Sequence, residues 1–110
     1  NMGITKTAGF ALKTNQMAQI LKVLGHPARL SIIQMLAKSS DCVGNEFVAQ
    51  LPLAQPTISR HLAELKKAEL IQGSIEGKNI SYCINPKRWN KVQHFLHNIT
   101  LEIQSNKERC

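Results

Sequence analysis

The chain is short of aromatic residues, cysteine pairs, acidic groups and long apolar runs, and each shortage excludes a class of protein. Five aromatics in 110 residues are too few for a platform on which single-stranded nucleic acid could stack. Cys42, Cys83 and Cys110 are odd in number, widely spaced and contain no C-x-x-C pair. That pattern argues against a disulfide scaffold and a zinc ribbon. No stretch approaches the roughly 18 apolar residues of a membrane span, and no signal peptide is visible, so the expectation is a cytoplasmic protein without membrane contact. Asn1, ahead of Met2, reads as an expression remnant. No nucleophile–base pair, phosphate-binding glycine loop or pair of carboxylates stands at a credible spacing. The expectation is therefore no enzyme, no cofactor and no metal.

What the chain does have is positive charge. Fourteen Lys and Arg against seven Asp and Glu leave a formal charge of +7. Residues 1–55 carry five basic and two acidic groups, residues 56–91 seven and three, and residues 92–110 two of each. Such a field suits a polyanion. The length allows one domain, small enough that dimerisation would help it. Weak periodicity over residues 1–13 suggests a flexible arm, residues 14–104 the domain, and residues 105–110 a tail.

Three X-Pro steps, His26-Pro27, Gln55-Pro56 and Asn85-Pro86, each precede helical periodicity and mark helix starts. Before the first, Met17, Ile20, Leu21 and Leu24 recur at i, i+3, i+4 and i+7, and Gly25 stops that helix. After it, Leu30, Ile33 and Leu36/Ala37 form a second apolar stripe, ending at residues 38–41. A short helix is expected over about residues 45–51, with Phe47, Val48 and Leu51 inward and Pro52 closing it.

Residues 55–70 separate two faces cleanly. At about 100° per residue, Ile58, Leu62 and Leu65 share one sector, Pro56, Arg60, Ala63 and Lys67 lie opposite, and Thr57, Ser59 and Glu64 flank them. Gln55 is expected as the N-cap, with Pro56 as the first helical residue. A first turn bearing Gln, Thr, Ser and Arg is what a helix entering the DNA major groove needs. A short helix, a turn and this polar-faced helix in succession form a helix-turn-helix pattern. His61 lies at the edge of the apolar stripe and reads as a structural, hydrogen-bonding residue.

After Leu70 the period changes to that of strands over residues 71–75 and 80–84, with a turn of hairpin composition, Glu76-Gly77-Lys78-Asn79, between them. A lone hairpin is barely stable, so it must lean on the helices as a wing. From Pro86 to about Gln104, Trp89, Val92, Leu96, Ile99 and Ile103 repeat at a heptad spacing. The same period suits a helix packed on its own core. Because the preceding elements already make a small core, the seam reads as a subunit contact, shared with Met17, Ile20 and Leu24. A twofold dimer would set two copies of helix 55–70 about one DNA turn apart.

Taken together, Leu24-Gly25-His26-Pro27-Ala28-Arg29-Leu30, Leu53-Ala54-Gln55-Pro56-Thr57-Ile58-Ser59-Arg60-His61-Leu62 and Glu76-Gly77-Lys78-Asn79-Ile80-Ser81-Tyr82 resemble the entry, recognition-helix and wing motifs of the ArsR/SmtB family. The resemblance covers about residues 16–104. It implies a mainly α, winged helix-turn-helix fold and a homodimeric repressor that binds an operator palindrome in double-stranded DNA and is released by an inducer, often a metal ion or thiol oxidant. It also implies that Gln55, Thr57, Ser59 and Arg60 face bases and phosphates, with Lys78 and Asn79 of the wing toward backbone or minor groove.

The family's sensor sites are incomplete here. Cys42-Val43-Gly44-Asn45 offers one thiol where the arsenic sensors carry Cys-Val-Cys. Pro86-Lys87-Arg88 stands where the zinc sensors have Asp-x-His, and His94 and His97 fall about a turn too early. Dithiol sensors pair a cysteine at the Cys42 position with one near Glu102, so a candidate redox pair is Cys42 with Cys110, two turns later. Cys83 falls on the second wing strand. The alternative function is a winged helix that binds another protein and not DNA.

Overall fold

The computed structural model describes residues 9–44, 50–76 and 79–107. Among them, helices α1 (Leu12–Leu24) and α2 (Pro27–Ala37) lead to a two-residue strand β1 (Val43–Gly44), then to α3 (Gln55–Lys67), β2 (Ile71–Glu76), β3 (Asn79–Ile84) and α4 (Pro86–Ser105). The strands form an antiparallel sheet in the order β1-β3-β2. The expected winged helix-turn-helix architecture is the one observed. The short helix expected before Pro52 falls largely on residues 45–49, outside those described.

The core gathers one stripe from each helix. Met17, Ile20, Val23 and Leu24 of α1 meet Ile32, Ile33 and Leu36 of α2, Ile58, Leu62 and Leu65 of α3, and Val92 of α4, with Leu70 and Ile71 closing the sheet side. On α2 the inward stripe is offset from the expected one: Leu30 is 45% exposed and Ile32 is fully buried. The face that turns inward is Arg29, Ile32, Ile33 and Leu36, at i, i+3, i+4 and i+7. A helix apolar on several sides leaves its periodicity ambiguous, and an arginine in the stripe hides the true register.

That arginine joins three helices. Arg29 Nε donates to His61 Nδ1 on α3 (3.1 Å), and its Nη1 donates to the Val23 carbonyl near the end of α1 (3.2 Å). His26 stands beside this contact as the N-cap of α2, its Nδ1 accepting from the Ala28 N–H (3.1 Å). Its ring lies 4.4 Å from that of His61, centroid to centroid. His61 is buried, at 7% exposure, in the structural role expected of it. Because its Nδ1 accepts a hydrogen bond, the ring must be neutral. Burial first, then electrostatic interaction with His26, Arg29 and Arg60, holds its pKa below the usual 6.5.

Helix α3 starts one residue earlier than its composition suggests. Ala54 is the N-cap, with φ −66° and ψ 146°, and Pro56 is the second helical residue. The Leu53 N–H turns back to the Leu51 carbonyl (2.8 Å), and the Ala54 carbonyl takes the first helical bond, from Ile58 N–H (3.1 Å). At its other end Glu69 adopts φ 62°. Its N–H bonds the Lys66 carbonyl (2.9 Å), and the Leu70 N–H bonds that of Leu65 (3.0 Å). These two bonds close a Schellman cap, and the fully buried Leu65 and Leu70 supply its apolar contact.

The hairpin pairs Ile71 with Ile84 through to Glu76 with Asn79, so each strand runs one residue further toward the turn than expected; residues 77–78 lie outside those described. Val43 pairs with Tyr82 and Gly44 with Ser81. This third strand has no signature in the sequence, because two residues are too few to alternate. Cys42 and Cys83 are joined by a disulfide. Cys83 is thus the partner of Cys42 here; Cys110 lies outside the described residues.

Asn85 caps α4 by accepting from the Arg88 N–H (3.5 Å). The expected dimer seam divides in two. Met17, Ile20, Leu24 and Val92 are buried within their own chain, whereas Leu96, Ile99 and Ile103 are 45%, 45% and 56% exposed. Trp89 is half-buried against the core. The reason is that α1 packs on the first half of α4, so the helix serves the chain's own core there and projects beyond it afterwards.

Leu65→Ala is expected to lower stability by about 2–5 kcal/mol, while Leu30→Ala changes it by no more than about 0.5 kcal/mol; urea unfolding of both variants checks the α2 and α3 registers. Acid should weaken the Arg29–His61 contact. Since the native pKa of His61 lies below its unfolded value, its contribution is complete above about pH 6.5 and is lost as pH falls from there toward the native value. Thermal unfolding between pH 8 and pH 5 is expected to show the stability advantage of the parent over His61→Gln shrinking on acidification.

Candidate nucleic-acid interface

The inward stripe of Ile58, His61, Leu62 and Leu65 leaves the opposite face of α3 uncovered. Gln55, Ser59 and Arg60 are exposed and Thr57 is half-buried, so the structure brings these four expected residues together on the first turn and a half of one helix. Gln55 Nε2 donates weakly to Ser59 Oγ one turn on (3.5 Å). With alanine at the N-cap, no side chain closes the first turn. Its N–H groups therefore point outward at the positive end of the helix dipole, where a phosphate oxygen is stabilised.

The field along this face is basic. Arg60, Lys66 and Lys67 are exposed. The Lys66 ammonium rests over Gly73 of β2, in space that any side chain at Gly73 would crowd. This joins the helix to the wing at a place where the sheet has no Cβ to keep them apart. Asn79 begins β3 at the edge of the wing turn, while Lys78 lies outside the described residues. The interface is thus a polar helix end with a β-hairpin beside it, both standing on one apolar core.

Two contributors went unforeseen in these roles. Arg29, half-buried, and His26, exposed at the start of α2, hold α3 from behind through His61. Their sequence signal was an arginine at i−3 and i−4 from Ile32 and Ile33, since a charged group in an apolar stripe requires a buried acceptor. The His94 and His97 side chains are exposed. Among the described residues, no three His, Cys, Asp or Glu side chains converge as metal ligands, and no helix is long and apolar enough to cross a membrane.

Comparison with known proteins agrees with this geometry. Residues 26–72, from the cap of α2 through α3 to the start of the wing, match the family model of bacterial regulatory proteins of the arsR family. The biofilm growth-associated repressor of Agrobacterium fabrum is 39% identical over 94 residues, spanning 86% of this chain and 80% of its own. The crystal structure of the transcriptional repressor BigR from Xylella fastidiosa superposes with a TM-score of 0.59 at 28% identity, over 89% of this chain and 92% of that one. An ArsR-like transcriptional regulator from Rhodococcus sp. RHA1 shares the fold, with a TM-score of 0.72 at 21% identity over 89% and 92% of the two chains. With α3, the wing and the α2 entry motif all falling inside these matches, the chain belongs to the ArsR/SmtB family of transcriptional regulators.

Proposed function

We propose that the protein is a homodimeric repressor that inserts α3 into the major groove of a palindromic operator. The observation that carries this reading is the division of α3: one face is wholly buried and the other presents Gln55, Thr57, Ser59 and Arg60. Arg can read guanine bidentately and Gln can read adenine, while Ser and Thr mainly fix register on phosphates. Lys78 and Asn79 are proposed to contact the neighbouring backbone or minor groove. An outward face of polar and basic groups disfavours the alternative of an apolar protein-docking module. A regulator that acts on genomic DNA would do so in the cytoplasm.

The dimer would form on the uncovered half of α4. Leu96, Ile99, Leu101 and Ile103 are 45–56% exposed, and Leu12 at the start of α1 is 73% exposed. Leu96, Ile99 and Ile103 share one face of α4 beyond the chain's own core, an exposed apolar stripe of the kind that marks association. A twofold axis there would present two α3 helices to successive major grooves, roughly 34–36 Å apart.

Retention on a DNA column with elution that depends steeply on salt tests the reading as a whole; absence of retention at low salt would refute it. Arg60→Ala is expected to weaken operator binding and relax preference at one base pair by about 1–3 kcal/mol, read by competition among substituted duplexes. Lys78→Ala should weaken all sequences alike, and a changed preference would reassign it. Ile99→Glu is expected to yield a monomer in sedimentation with its helix content intact, and to lose high-affinity binding to the palindrome while keeping weak, salt-sensitive binding.

A further inference from the structure

The Cys42–Cys83 bond is not explained by DNA recognition. Val43 faces Tyr82 and Gly44 faces Ser81, so one step outward along the antiparallel ladder sets Cys42 opposite Cys83, with their Cα atoms 4.5 Å apart. That is the separation of a non-hydrogen-bonded cross-strand pair, in which side chains stand closest. The strand register therefore brings the two sulfurs within bonding reach of each other. Cys42 is exposed and Cys83 half-buried. Both line a cavity of about 540 Å³ whose other walls include Ile33, Leu36, Ile84 and Trp89. It admits a small, largely apolar molecule to the sulfurs.

The position of the bond gives it a consequence. It spans 41 residues, and the ring it closes contains all of α3, β2 and the turn of the wing, the parts proposed to meet DNA, and none of α4. In a cytoplasmic protein a disulfide is seldom a permanent staple and is more often redox-responsive. We infer that Cys42 and Cys83 form a reversible dithiol–disulfide site, oxidised by apolar organic hydroperoxides entering this cavity, whose bonded form holds the reading helix and wing ready for DNA.

The chemistry balances without a metal or cofactor. The Cys42 thiolate attacks the hydroperoxide; the O–O bond breaks, an alcohol leaves with a proton, and Cys42 becomes a sulfenic acid. The Cys83 thiolate then attacks Cys42 Sγ, the S–S bond forms, the S–O bond breaks and water leaves. Two thiols lose two electrons and two protons to one hydroperoxide, giving one disulfide, one alcohol and one water. An external dithiol reverses the step through a mixed disulfide. In the reduced form the base of the wing and the segment leading to α3 are less restrained and must be ordered on binding, which costs affinity.

The coupling to DNA rests on the proposed DNA reading, so the test separates the two. The full chain, reduced with dithiothreitol, is treated with cumene hydroperoxide or hydrogen peroxide, digested without reductant and mapped by mass. A Cys42–Cys83 peptide is expected, forming at lower concentrations of cumene hydroperoxide. A Cys42–Cys110 peptide, a native bond that resists dithiothreitol, or no preference for the apolar oxidant would overturn the site. Affinity is then read by anisotropy on a duplex selected from a random pool. The oxidised form is expected to bind five- to tenfold more tightly than the reduced form, with the difference lost in Cys83→Ser and in Cys42→Ser and kept in Cys110→Ser. Equal affinities, or tighter binding by the reduced form, would overturn the coupling while leaving the mapped bond standing. Failure of either form to bind any duplex would overturn the DNA reading and the coupling with it, again independently of the mapping.

Discussion

The hydrogen bond from Arg29 to His61 ties the entry of the fold to its output. Arg29 also holds the Val23 carbonyl, so one guanidinium spans the end of α1, the start of α2 and the middle of α3. A guanidinium offers five donors in a fixed plane, which lets it link three elements where a lysine would have a single mobile point of charge. The cost of placing that charge near the core is met by acceptors that are neutral. His61 therefore has to stay unprotonated, and its burial and cationic neighbours keep it so. Because His61 follows Arg60 directly, the orientation of the outward arginine depends on the buried histidine next to it.

Helix α3 is held on one face and free on the other, and its two ends are finished differently. The C-terminal end is closed by the Schellman bonds of Glu69 and Leu70, which seat Leu65 and Leu70 in the core and start the first wing strand. The N-terminal end has no side-chain cap. An end that is satisfied internally is suited to packing; one left open is suited to receiving an outside acceptor. The same helix therefore serves both the core and the interface without conflict between them.

Within the sheet, two residues of β1 have an effect out of proportion to their length. By pairing with β3, they attach the chain ahead of α3 to the second strand of the wing, and they set the register that brings two cysteines together. The wing is thereby braced from the side opposite β2. Its anchorage to the helical core comes through Leu70, Ile71 and the Asn85 N–H bond to the Leu70 carbonyl (3.0 Å), which also positions the start of α4.

Much of this was legible in the sequence, for a physical reason: local features report themselves. Proline at three helix starts, the two-faced period of residues 55–67, the alternation of the hairpin strands and the exposed polar residues of α3 depend only on neighbours a few positions away. What depends on distant partners was not legible. The α2 register turned on Arg29 finding an acceptor thirty-two residues on. The division of the α4 seam turned on where α1 covers it, since a heptad period is the same whether the apolar face meets its own chain or another. The pairing of Cys42 with Cys83 turned on a strand too short to be read. Sequence alone determined the four helices, the hairpin and what α3 shows to solvent; the tertiary structure decided where the third strand pairs, which buried groups hold α3 in place, which apolar residues remain uncovered and which sulfurs meet, because those outcomes are set by long-range packing and register.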